Sequence, residues 1–215
     1  MQDDWVLATG NPGKLAEMQR LLEGLGVRLR AQAALGVVPC AEPFSSFLEN
    51  ALEKARHASR GTGLPAIADD SGLVVDALGG APGVRSARFY DDAVAQAGCL
   101  LLPGSENLSV DTANWQWLLH RMQDVPEPAR SARFVSVIAF VRHADDPMPI
   151  VGCGLWPGRV AHAAAGSHGF GYDCVFYDPR LGRTAAELSP QEKNAVSHRA
   201  EAIRQFVAVY GHAYS

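Results

Sequence analysis

Paired cysteine is missing from this chain. Its four cysteines, Cys40, Cys99, Cys153 and Cys174, show no CxxC spacing, so neither a zinc pattern nor a disulfide framework is indicated. An excess of basic charge is missing as well. The 19 Lys and Arg against 23 Asp and Glu leave a formal net charge of −4, which offers no positive field to duplex nucleic acid or anionic lipid. No apolar run reaches bilayer-spanning length. Met1-Gln-Asp-Asp-Trp5 has neither the basic start nor the long apolar core of a signal peptide. Repeats and low-complexity tracts are absent too. These absences set the expectation of a soluble, cytoplasmic protein with no nucleic-acid or membrane partner. What is present is hydrophobic: 47% of 215 residues, enough for one sizeable core and hence one domain over residues 1–215, in two lobes.

Order along the chain is α/β. Trp5–Thr9 reads as a short strand, Gly10-Asn11-Pro12-Gly13 as a turn, and Leu15, Met18, Leu21, Leu22 and Leu25 recur at helical spacing. A second strand covers Val27–Gln32. Ser46-x-x-Glu49 is a capping-box signature opening a helix whose apolar stripe is Phe47, Ala51, Leu52, Ala55 and Ala58. Leu64–Ala68 reads as a buried strand, with Gly72 permitting a sharp turn before another strand over Gly72–Asp76. Residues 91–112 form an excursion without a clear pattern, followed by a helix around Ala113–Met122. Arg133–Arg142 and Ile150–Ala161 form a long hairpin by their β-branched and apolar content. Ser189-Pro190-Gln-Glu192 opens a last helix with Val196, Ala200, Ile203, Phe206, Val207 and Tyr210 on its buried side. Early alternation and a late hairpin predict a mixed sheet.

The chemistry-bearing residues begin with Asp69 and Asp70, adjacent carboxylates on strand-like sequence. Neighbours on a strand face opposite sides, so the two cannot serve one site in the same way. Near-buried carboxylates need a cation or donors, and a hard divalent metal such as Mg²⁺ suits oxygen ligands. A strand-capping Asp-Asp-Ser-Gly turn describes the same residues. Thr9-Gly-Asn-Pro-Gly-Lys14 places free amides, a helix dipole and a Lys together, which makes an anion site or an ordinary strand-to-helix turn. It is not a Walker A loop, since Ala8 and Leu15 stand where Gly and Ser or Thr are required. On the capped helix, Asn50 and Lys54 share one face and Glu49 and Glu53 another, either as a solvated ion-paired surface or with Lys54 towards a phosphate and Glu49 towards a metal. Glu42 lies in irregular chain from which a loop can deliver a carboxylate. Gly166-Ser-His-Gly-Phe-Gly-Tyr-Asp173 surrounds one Phe with glycines, leaving Phe170 either in the core or exposed to stack on a flat ligand. Lys193, Ser197, His198 and Arg199 form a cluster of donors without a nearby acid partner, which a phosphate and a base carbonyl would satisfy, or a solvated basic turn.

Taken in order, Thr9-Gly-Asn-Pro-Gly-Lys14, Phe47-Leu-Glu-Asn-Ala51 with Lys54, Ala68-Asp-Asp-Ser-Gly-Leu73, Gly79-Gly-Ala-Pro-Gly83, Gly169-Phe-Gly-Tyr-Asp173 and Ser197-His-Arg199 resemble the inosine triphosphate pyrophosphatase family over nearly the whole chain. The resemblance implies an elongated central mixed β-sheet flanked by helices, two lobes with a cleft between them, a Mg²⁺ requirement and a homodimer. It implies that Thr9, Gly10, Asn11, Pro12, Gly13 and Lys14 line a triphosphate, that Lys54 and Lys193 hold phosphates, and that Ser71 contacts substrate. Glu42 and Asp70 would ligate Mg²⁺, with Asp70 also the catalytic proton acceptor and Asp69 supporting the metal shell. Phe170, Gly171, Tyr172 and Asp173 would form the base loop, with Phe170 stacked on the purine and Asp173, His198 and Arg199 reading its edge. Three features depart from the family pattern. Cys174 replaces a usual Pro, Arg85 stands where an aromatic is common, and residues 89–112 exceed the usual linker.

The activity implied is hydrolysis of non-standard purine nucleoside triphosphates (ITP, dITP, XTP) to the monophosphate and pyrophosphate, cleansing the nucleotide pool. A non-catalytic nucleotide-binding sensor and a pyrophosphatase for modified pyrimidine nucleotides are the alternatives.

Overall fold

The computed structural model describes residues 4–10 and 12–214. Its strands are β1 (Asp4–Leu7), β2 (Arg28–Ala31), β3 (Ala66–Val75), β4 (Ser131–Val141), β5 (Ile150–Val160), β6 (Phe176–Asp178) and β7 (Arg183–Thr184). They form one mixed sheet in the order β2-β1-β3-β4-β5-β6-β7. β1 runs parallel to β2 and β3, whereas β6 runs antiparallel to β5 and β7. The helices are α1 (Pro12–Leu21), α2 (Phe47–Thr62), α3 (Phe89–Ala97), α4 (Val110–Arg121), α5 (Pro190–Val196) and α6 (His198–Tyr214). Among the described residues no helix is long and apolar enough to cross a membrane.

The chain divides into two compact units. Unit 1 comprises residues 1–71, 136–155 and 197–215. Its core packs Trp5, Leu7, Met18, Leu22, Leu29, Ile67, Ile138, Phe140, Ile203 and Phe206. Two glycines of β5 let α6 approach this layer. A Cβ on Gly152 would fall 2.1 Å from the Ala202 carbonyl oxygen, and one on Gly154 only 1.9 Å from that of His198. Unit 2 comprises residues 72–135 and 156–196, with a core of Leu73, Val75, Leu118, Phe134, Trp156, Val175 and Phe176. Arg130 is buried there, and its guanidinium donates to the carbonyls of Met122, Val125, Val160 and Ala161.

Three expectations are corrected. The two strands expected on either side of a turn at Gly72 are a single strand, β3, of ten residues. Gly72 lies within that strand, and Asp69 and Asp70 find partners on neighbouring elements without a turn to expose them. The last helix is broken at Ser197, whose Oγ accepts from the Ala200 amide and so starts α6 afresh. The excursion over 91–112 is ordered. α3 ends at Gly98 in the left-handed region, and the Tyr90 hydroxyl meets Ser105 Oγ and the amides of Leu101 and Leu102. Ser109 then caps α4 by accepting from Thr112 N, three residues before the expected start.

The close approach of α6 to β5 gives a direct test. Gly154→Ala is expected to cost about 3 kcal/mol or more, because the added carbon meets rigid backbone. Gly211→Ala, in a helical position with nothing within 4 Å of the added carbon, is expected to gain roughly 0.5–1 kcal/mol. Urea unfolding of both variants checks the pair.

Candidate active site

In unit 1 the site is organised by the alternation of β3. Asp69 and Ser71 point to one face and Asp70 to the other. Asp69 is 4% exposed and receives donors from three other elements. Lys14 Nζ of α1 lies 2.8 Å from Oδ2, Arg199 of α6 reaches the same oxygen at 3.2 Å, and Ser136 Oγ of β4 donates to Oδ1 at 2.7 Å. Ser71 Oγ donates to Asp69 at 2.9 Å and accepts from Lys14 and Arg199, each at 3.1 Å. Burial opposes the charge on Asp69, but Arg199 and Lys14 outweigh it and hold its carboxyl well below the usual carboxylate range. Arg199 is anchored on its other side by Glu17 of α1, at 2.7 Å.

Asp70 is placed differently. Its Oδ1 accepts from Lys54 Nζ of α2 at 2.7 Å, and the same ammonium lies 3.5 Å from Glu42. Its Oδ2 is buried with no hydrogen-bond partner. Burial pushes the Asp70 carboxyl up, Lys54 pulls it down, and the negative charges of Glu42 and Asp69 help to leave it raised. Burial also disfavours the Lys54 ammonium, yet Asp70 and Glu42 more than offset this and its pKa is raised.

The metal reading rests on these oxygens. Among the described residues no group of three or more His, Cys, Asp and Glu gathers for a metal. A pair fits Mg²⁺ chemistry, since that ion is held by one or two carboxylates with water and phosphate completing the shell. The orphaned Asp70 Oδ2, together with Glu42 beside it on Lys54, supplies such a pair. Asp69, which the resemblance places in support of the metal shell, is met by Lys14, Arg199, Ser71 and Ser136. Glu49, read either on a solvated ion-paired face or towards a metal, pairs with Ser46 at the start of α2.

The strand-to-helix turn carries Thr9 and Gly10 at the surface end of β1, with Pro12, Gly13 and Lys14 in the first turn of α1. Asn11 lies outside the described residues.

In unit 2 the glycine-rich loop is built to present an aromatic ring. Gly169 and Gly171 have φ of +79° and +60°, and a Cβ on Gly169 would fall 2.0 Å from Asp173 Oδ2, so glycine is required there. Asp173 is buried, accepts from Phe170 N at 2.9 Å, and pairs with Lys193 of α5. The Phe170 ring is 37% exposed rather than in the core, with Lys193 Nζ 5.2 Å from its centroid. Tyr172 is buried and donates to Ser86 O. Cys174 follows half-buried, its thiol pushed up by burial, and Arg85 makes a two-pronged pair with Asp92.

The Ham1 family profile matches residues 5–209. The chain belongs to the Ham1 family. A protein of Photorhabdus laumondii called dITP/XTP pyrophosphatase is 50% identical over 202 residues, covering 94% of this chain and 95% of that protein. One of the same name from Yersinia pseudotuberculosis is 52% identical, covering 93% of each. A solved HAM1 protein from Coxiella burnetii superposes with a TM-score of 0.84 at 43% identity, over 98% of this chain and 100% of that one.

For this Ham1 chain, one sequence reading is corrected. The donors Lys193 and Arg199 were expected to lack acids, yet Asp173 meets the first and Glu17 and Asp69 the second. His198 is buried at the start of α6. Glu17 and Ser136 were missed. Glu17 lies three residues after Lys14 and next to the buried Met18, and Ser136 interrupts an apolar strand run. A polar group inside a buried stripe was the available signal.

The charge cluster yields a pH-dependent prediction. A carboxyl with depressed native pKa contributes stability above its unfolded value that is lost as pH falls through the native one. Asp69→Asn is therefore expected to lose about 3–5 kcal/mol at pH 7. The gap from the parent should narrow only below the usual 3.8. Urea unfolding at pH 7 and pH 3 measures it, and a loss under about 1 kcal/mol would contradict the assignment.

Proposed function

We propose that this chain hydrolyses the non-standard purine nucleoside triphosphates ITP, dITP and XTP to the monophosphate and pyrophosphate, and so cleanses the nucleotide pool. The observation that carries the reading is the buried, unpartnered Oδ2 of Asp70, on a raised carboxyl beside Lys54 and Glu42. The names of the relatives, dITP/XTP pyrophosphatase, support the substrate class.

Thr9 to Lys14, Lys54 and Ser71 are assigned to the triphosphate, with Lys193 a further phosphate contact. Lys14 and Lys54 offset charge that develops on phosphoryl oxygens. Water attacks the α-phosphorus, Asp70 accepts its proton, and the bond to the bridging oxygen breaks to release pyrophosphate. Glu42 and Asp70 are the residues that would hold Mg²⁺, which supplies charge neutralisation and polarises bound oxygen. Phe170, Gly171, Tyr172 and Asp173 are assigned to the base, with Phe170 stacking on it.

His198 and Arg199 are assigned to the purine edge. Hypoxanthine and xanthine present an accepting carbonyl at C6, whereas adenine presents a donor there. A donor left unpaired costs about 1–3 kcal/mol. Arg199 is already fixed by Glu17, Asp69 and Ser71, so its guanidinium is oriented in advance. The full proposal includes a homodimer in the cytoplasm that engages neither nucleic acid nor membrane.

Pyrophosphate release from ITP, dITP, XTP, ATP and a modified pyrimidine triphosphate, with Mg²⁺, tests the reading. ITP and XTP should exceed ATP by a factor on the order of 10² or more, and equal rates would overturn the selectivity. Asp70→Asn should lose most turnover and keep nucleotide binding. Because Lys54 holds the Asp70 charge, Lys54→Met should move the acid limb of the kcat/KM profile to higher pH. An unmoved limb would remove Asp70 as proton acceptor.

A further inference from the structure

Two consecutive amides at the tip of the base loop are each taken by a carboxylate. Phe170 N donates to Asp173 Oδ2 at 2.9 Å, and Gly171 N donates to Asp111 Oδ2 at 3.0 Å. Asp173 belongs to the loop itself, whereas Asp111 arrives from the first turn of α4, at the end of the stretch the family pattern does not predict. The two amides lie at either side of the Phe170 backbone. Gly169 and Gly171, both at positive φ, would otherwise leave that backbone with wide freedom. Fixing both peptide planes fixes the direction in which the ring leaves the loop.

Asp111 is exposed, but the helix that carries it is anchored at its start. Ser109 caps α4, and Asn114 of the same helix accepts from Tyr90 N and donates to Ala87 O. The Asp111 carboxylate also lies near Tyr172 and Cys174, where it adds to the effect of burial in raising both groups. We propose that Asp111 is a positioning residue for base recognition, holding the Gly171 amide so that the Phe170 ring stands ready to stack on a purine. This rests on the assignment of the loop to the base. It goes beyond that assignment by placing a determinant of base affinity on α4, outside every motif that carries the family resemblance.

An acid in a first helical turn is also favoured by the helix dipole alone, so the test compares Asp111→Ala with Asp111→Asn. Asn keeps an accepting oxygen at the same reach and loses the charge. In ligand-free protein, hydrogen exchange at the Gly171 amide should rise about tenfold or more in Asp111→Ala and stay near the parent in Asp111→Asn. With ITP, Asp111→Ala should raise KM about tenfold, in line with loss of part of one stacking contact, with kcat within about twofold. Inosine monophosphate should bind correspondingly more weakly and inorganic pyrophosphate unchanged, and Asp111→Asn should restore most of the affinity. Unchanged exchange at Gly171, or equal loss in the Asn and Ala variants, overturns the proposal. Failure of the parent protein to bind inosine monophosphate overturns the base assignment instead, and the exchange measurement still decides whether Asp111 holds the loop.

Discussion

The buried carboxylate of Asp69 is the constraint around which unit 1 is arranged. An anion this deep is costly unless cations and donors meet it. Here Lys14, Arg199, Ser136 and Ser71 all do. They come from α1, α6, β4 and β3 itself, so one charge ties together four elements far apart in sequence. It also dictates local structure. Arg199 can reach Asp69 only from a helix that begins beside it, and the break at Ser197 supplies that beginning. α1 must carry Lys14 and Glu17 one turn apart, so that one meets the anion and the other steadies the arginine.

The pair of aspartates shows how one residue of offset separates two environments. Asp69 faces two cations and two hydroxyls, and its carboxyl is driven down. Asp70, on the opposite side of the strand, faces one ammonium that it shares with Glu42, and burial leaves it raised. The first is a fixed charge, since every oxygen is used. The second keeps one oxygen without a partner in a buried place. Divergent environments for adjacent acids are what a division between scaffold and proton acceptor requires.

Much of this was legible in the residues. The opening strand, the Ser46 cap with its alanine stripe and the glycine loop around Phe170 each follow from local rules, and each stands where the pattern put it. What was hidden depended on partners distant in sequence. Asp-Asp-Ser-Gly reads as turn chemistry because nothing nearby shows the cations that let it lie flat in a strand. Lys193 and Arg199 read as unpaired because Asp173, Glu17 and Asp69 are 20, 182 and 130 residues away. Arg130 gave no signal at all, since its partners are carbonyls, which every residue possesses.

The arrangement at Phe170 leaves an aromatic ring exposed without its own contacts sealing it away. Lys193 lies over the ring face, an interaction worth about 0.5–1 kcal/mol at an exposed site. On the proposed assignment, a base stacking on that ring would be worth about 1–3 kcal/mol, so exchange of one for the other would favour the nucleotide. Asp173 prevents the exchange from being a loss elsewhere, because it holds the ammonium through a separate contact while fixing the Phe170 amide. The cation therefore covers exposed aromatic surface, and under the proposed assignment it would stay tethered to Asp173 when a base took its place. A ring sealed in the core could not recognise a base, and a ring on an unrestrained glycine loop would lose affinity to the entropy of ordering it. The loop avoids both outcomes because the carboxylate that locks its backbone is also the one that retains its cation.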